Sequence, residues 1–209
     1  MSDFIEIKTN ELSISRRGLV YGVGINDANY MTKPRGKDKQ LICPVYRKWQ
    51  SMLQRCYCSK LHSRQPTYIG ATVCEEWLTF SVFKSWIIEQ EWEGKELDKD
   101  IIKPGNKQYS PDTCCFVPQA LNNLLTNRGS ARGSCPRGVS KLAGKYHARC
   151  GYNGKSKRLG LFATPEAASL VYRKYKHAIV RKIASEQTDP RIMRGLVIHA
   201  DLILRGIEL

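Results

Sequence analysis

Between Arg137 and Phe162, glycine-bearing turns cut the chain into three short strand-like pieces. An unbroken helical run then opens at Thr164. The pieces are Arg137-Gly138-Val139-Ser140-Lys141, Gly144-Lys145-Tyr146-His147-Ala148-Arg149-Cys150 and Lys157-Arg158-Leu159-Gly160-Leu161-Phe162. Ala168, Val171, Tyr172, Tyr175, Ile179 and Ile183 form an apolar stripe along the helix. This order predicts a small three-stranded antiparallel sheet with one helix covering one face. Strand alternation places His147 and Arg149 on one face, opposite Tyr146, Ala148 and Cys150.

Charge is concentrated in the same stretch. Residues 127–185 hold 14 Lys or Arg against a single acid, Glu166, which is +13 of the chain's +15. Nothing acidic nearby in sequence pairs with the sheet arginines, and a field of this sign suits a phosphate backbone. On the helix, Arg173, Lys174, Lys176, Arg181 and Lys182 lie mostly outside the apolar stripe and read as a solvated face.

With 209 residues there is room for one large domain or two small ones. A hydrophobic share of 42% and a charged share of 25% are those of a folded chain, and no apolar run reaches the roughly 18 residues of a membrane span. The N-terminus carries acids where a signal peptide needs positive charge, so a cytoplasmic location is expected, that of the host cell if the chain is phage-encoded. The eight cysteines lack paired C-x-x-C spacing and read as buried small hydrophobes. A structural Zn²⁺ held within Cys56, Cys58, Cys74 and Cys114 is the lesser alternative.

The N-terminal part reads as strand pieces and loops up to about residue 40. A helix follows over 44–56, with Tyr46, Trp49, Met52, Leu53 and Cys56 on one stripe. A short strand is expected at Thr67-Tyr68-Ile69, and a second aromatic helix at about 74–90 with Trp77, Phe80, Phe83, Trp86 and Ile87. Then come a strand at Leu97–Ile102, a Pro104-Gly105-Asn106 turn, a second strand piece from Tyr109 to Pro118 and a helical piece bearing Asn122 and Asn123. Carboxylates at a strand end and amides on a helix can converge on a hard cation such as Mg²⁺. Residues 127–136 form a basic Gly/Ser linker. A last amphipathic helix follows Asp189-Pro190. The expected organisation is α+β, with domains at 1–126 and 137–209.

Two stretches resemble known families. Tyr46-x-x-Trp49-x-x-Met52-Leu53-x-Arg55-Cys56-Tyr57, Val73-Cys74-Glu75-Glu76-Trp77, Leu97-Asp98-Lys99-Asp100 and Tyr109-Ser110-Pro111-x-x-Cys114 through Asn122 resemble the HNH-type homing-endonuclease-like proteins of bacteriophages. That resemblance implies a ββα-metal fold and a Mg²⁺-dependent DNA endonuclease or nickase. By position Asp98 and Asn122 would be metal ligands. Lys99 stands where the family's general-base His belongs, and Tyr109 where its orienting Asn belongs. Lys cannot take a proton near neutral pH unless its pKa falls far, so the alternative is a scaffold without catalysis: a DNA-binding regulator or inhibitor, or a binder of a host protein.

The second resemblance, over Arg137 to about Tyr175, is to the ethylene-response-factor (APETALA-type) DNA-binding domain. It rests on Arg137-Gly138-Val139, Gly144-Lys145-Tyr146, Arg149, Leu159-Gly160-x-Phe162 and Thr164-Pro165-Glu166-Ala167-Ala168. It implies that the uncovered sheet face enters the major groove of double-stranded DNA, with Arg137, Ser140, Lys145, His147, Arg149, Ser156 and Arg158 as contact residues. Neither resemblance fixes an oligomeric state or a DNA site.

Overall fold

A computed structural model describes residues 4–33, 42–126 and 135–207. The fold is α+β, and its contacts divide it into two compact units. One comprises the described residues of Met1–Glu93 and Lys107–Cys114; the other comprises those of Gly94–Asn106 and Cys115–Leu209. Among the described residues no helix is long and apolar enough to cross a membrane.

The first unit is built on aromatic side chains. It contains α1 (Glu11–Ser15), α2 (Pro44–Tyr57), α3 (Ser59–Arg64), β1 (Thr72–Val73) and α4 (Phe80–Ile87). Proline opens α2, and the expected stripe of Tyr46, Trp49, Met52, Leu53 and Cys56 is buried. Tyr46, Trp49 and Phe80 pack in tilted and edge-to-face pairs with centroids 5.4–5.6 Å apart, and the Trp49 indole donates to the Trp77 carbonyl at 2.7 Å. The helix expected over 74–90 is broken. Thr79 is extended and bridges to Ile25, so a 3₁₀ turn at Glu75–Leu78 precedes α4. Thr67–Ile69 is not a strand, because Pro66 opens a 3₁₀ turn there instead. The unit closes with β3 (Gln108–Tyr109), which pairs in parallel with β1.

The second unit begins with β2 (Lys95–Asp98), paired antiparallel with β4 (Cys115–Pro118), and α5 (Gln119–Leu125) follows directly. The three-stranded sheet is β5 (Val139–Leu142), β6 (Lys145–Tyr152) and β7 (Lys155–Phe162), antiparallel in that order. It is followed by α6 (Pro165–Ser185) and α7 (Pro190–Arg205). Thr164 and Asp189 cap the two helices, each with proline at the first turn, and Gly206 ends α7 in the left-handed region at φ 80°. Gly138, at φ 75°, lies under the Tyr172 ring, where a Cβ would sit 2.1 Å from a ring carbon.

A large core runs through this unit, beside a smaller cluster of Val139, Ala148 and Ala168. Ile101, Val117, Leu121 and Leu124 from the hairpin and α5 pack with Cys150, Tyr172, Val180, Ile183 and Leu196 from the sheet and its helices. The hairpin assigned by sequence to an N-terminal domain therefore shares a core with the C-terminal sheet. The linker at 127–136 falls largely outside the described residues.

Candidate nucleic-acid interface

The register of the sheet decides which side chains share a face, because residues directly opposite one another point the same way. Ser140 lies opposite His147, Leu142 opposite Lys145, His147 opposite Leu161, Arg149 opposite Arg158, and Gly151 opposite Ser156. Cys150, Tyr152 and Ala148 point to the other side, into the helix-covered core. The face away from α6 thus carries Ser140, Lys145, His147, Arg149, Ser156 and Arg158, six of the seven positions read from the sequence. A bulge at Ala148/Arg149 arranges this. It turns Leu159 into the core while Arg158 and Leu161 both face outward.

Arg149 and Arg158 are exposed cross-strand neighbours, and among the described residues neither guanidinium has a hydrogen-bond or ion-pair partner. Like charges directly opposite in a sheet are destabilising. Each guanidinium presents a planar fork of donors suited to a phosphate or a two-acceptor base edge. His147 lies on this face but is only 9% exposed, and its Nε2 has no hydrogen-bond partner among the described residues. Sequence reading missed Leu142 and Leu161, which stand 49% and 52% exposed on the same face. The bulge that aims Leu161 outward has no simple period-two signal.

Arg137 lies elsewhere. Its Nη2 donates to the carbonyls of Leu124 (3.0 Å), Leu125 (3.1 Å) and Thr126. It thereby satisfies the open C-terminal end of α5. Two further cations of the basic stretch are also engaged inside the unit. Arg173 Nη1 donates to the Leu204 carbonyl at the end of α7 (3.0 Å), and Lys176 is 1% exposed with its ammonium 5.8 Å from the Tyr172 ring.

The residues of the nuclease resemblance divide between the units. Asp98 ends β2, and its Oδ1 accepts from the backbone N–H of Asp100 and of Ile101, both at 2.8 Å. Burial, with the Asp100 carboxylate beside it, pushes Asp98 up to about 7. Burial would also raise Asp100, but the Lys99 ammonium, 3.0 Å from its Oδ2, outweighs this and holds it below the ordinary range. Lys99 is buried rather than exposed, donating also to the Asn106 carbonyl at 2.9 Å, while Asn106 Nδ2 donates back to the Lys99 carbonyl at 2.7 Å. His199 of α7 contacts the Asp100 carbonyl through Nε2 at 3.0 Å, and burial lowers its pKa. Asn122 is half-buried on α5, which packs against β2 and β4. Tyr109 belongs to the other unit. It is 2% exposed, and burial raises its phenol.

Mg²⁺ does not fit these groups as arranged. Both contacts to Asp98 Oδ1 come from N–H donors, and an ammonium occupies the place a cation would take beside Asp100. Among the described residues no three His, Cys, Asp or Glu side chains gather to hold a metal, so Zn²⁺ has no such group there either. Six of the eight cysteines are buried.

The Asp98 pair predicts a pH effect. The folded chain keeps the Asp98 proton to about pH 7, whereas the unfolded chain loses it near 3.8. Between those values the folded state binds the extra proton, so this group's contribution to stability falls as pH rises. Asp98→Asn keeps an acceptor for the two N–H groups and removes the titration. It is expected to melt higher than wild type at pH 8, by about 1–2 kcal/mol, with the advantage vanishing near pH 4. Asp98→Ala, which strands both donors, is expected to lose about 1–3 kcal/mol at either pH. Thermal melts across pH 4–8 measure both.

No protein-family model, no curated protein and no solved structure matches this chain.

Proposed function

We propose that this protein binds duplex DNA through the open face of the β5–β6–β7 sheet, as a DNA-binding regulator or blocking protein rather than a nuclease. The carrying observation is the Arg149/Arg158 pair: two exposed guanidiniums directly opposite each other, with no acid to balance them among the described residues. Such an arrangement costs the free sheet stability and suits an anionic partner. Lys145, Ser140 and Ser156 on the same face add donors for phosphate, and Leu142 and Leu161 offer apolar contact to a thymine methyl.

Endonuclease activity lacks a comparable support. Its base position is Lys99, buried and held by Asp100 and Asn106, and the partner position, Tyr109, is in the core of the other unit. Supercoiled DNA incubated with Mg²⁺ or Mn²⁺ is accordingly expected to stay uncut.

Binding is tested by anisotropy of labelled duplexes with the whole chain. Some six phosphate contacts give a log–log salt slope of about −5. Arg149→Ala is expected to narrow the gap between best and random sites by about 1–3 kcal/mol, whereas Lys145→Ala weakens all sequences alike. A salt-independent affinity, or none, overturns the proposal.

A further inference from the structure

The side of the second unit away from the open sheet face carries its own unbalanced charge. Lys155 and Lys157 alternate with Ser156 and Arg158 along β7, one of the sheet's two edge strands, so they point to the helix side, opposite Tyr152 and Cys150. The Lys157 ammonium lies 5.0 Å from the Tyr175 ring of α6. From Tyr175, helical spacing continues the same flank through Ala178 and Lys182, with Lys174 and Arg181 beside them. The opposite flank of α6 is taken by α7, through Arg173 to the Leu204 carbonyl and His177 to Asp201. Lys155, Lys157, Lys174, Arg181 and Lys182 are all exposed, and none has an ion-pair partner among the described residues.

We propose that this flank of α6 with the adjoining edge of β7 binds a second segment of duplex DNA, so that one chain joins two duplexes. The inference rests on the open sheet face holding the first. A straight duplex against that face does not reach α6, which lies behind the sheet by about the 10 Å of a packed layer. Five exposed cations, against Glu186 at the end of α6 as the acid beside them, leave a net positive flank that complements a phosphate backbone, and their mixture of Lys and Arg on two elements presents charge without a base-reading pattern. The second segment is therefore held without regard to sequence.

The test uses the full chain, a bead-bound duplex and a fluorescent duplex of unrelated sequence. Wild type is expected to retain the fluorescent duplex on the beads. Lys174→Glu/Arg181→Glu/Lys182→Glu is expected to keep single-duplex affinity within about twofold and lose capture at least tenfold. Lys155→Glu/Lys157→Glu, on a different element, is expected to give the same split, which guards against a folding defect of α6. No capture by wild type overturns the inference. So does capture by both variants, which would mean that chains associate with one another, and so does an equal loss of single-duplex affinity, which would put the flank on the first duplex. Absence of single-duplex binding by wild type would instead remove the open-face proposal at the first step, and this one with it.

Discussion

A chain beginning at Gly133 is expected not to fold, although it contains the whole three-stranded sheet and both long helices. It lacks Ile101, Val117, Leu121 and Leu124, which pack against Cys150, Tyr172, Val180, Ile183 and Leu196. Each removed side chain takes away about 1.5–3 kcal/mol of burial, and the four together approach the 5–15 kcal/mol that holds a typical domain. Arg137 also loses the α5 carbonyls to which it donates. A chain beginning at Gly94 keeps all of these and is expected to melt cooperatively. The comparison needs two melts and two amide spectra. A sharp transition and dispersed amides from the shorter fragment would show that the sheet and α6 stand alone. The consequence for function is practical: DNA binding lost in the shorter fragment would report unfolding, and says nothing about the open face.

What the sequence showed and what it hid follow from the range of the forces concerned. The α2 stripe is a local period, so Tyr46, Trp49, Met52 and Leu53 could be placed in a core from spacing alone. Glycine turns bounded the three strands, and alternation put His147 and Arg149 on one face, as the register has them. The charge count was legible, but its use was not. Arg137 caps a helix that ends at Leu125, and Arg173 reaches a carbonyl 31 residues away; no local pattern signals either partner. Lys99 reads as a surface residue because lysine usually is one, whereas the turn after β2 folds it against Asp100 and Asn106. The break at Thr79 escaped for a related reason. The aromatic period runs on through it, and only pairing with Ile25, far back in the chain, pulls the backbone out of the helix.

Gly195→Ala is expected to destabilise the second unit by about 3 kcal/mol or more, against the usual sign for a glycine in a helix. In the middle of α7 glycine is intrinsically worse than alanine by about 1 kcal/mol, so an exposed position would gain from the change. Here a Cβ would stand 2.1 Å from the Ile101 carbonyl oxygen and 3.0 Å from the Ile101 carbonyl carbon and Ile102 Cα. All three are backbone atoms of the turn that follows Asp98, so no side-chain rotation relieves the clash. Either α7 or the turn must move. Moving either one separates His199 from the Asp100 carbonyl and opens the core at Ile101 and Leu196. For a unit of this size the loss corresponds to a melting temperature lower by roughly 10–20 °C. Ala200→Gly in the same helix is the control. It removes a buried methyl group and adds glycine's helix penalty, for a loss of about 1–2 kcal/mol without forcing the turn. If Gly195→Ala melts at or above wild type, the turn does not rest on α7, and the Asp98–Asp100 cluster is not seated as described.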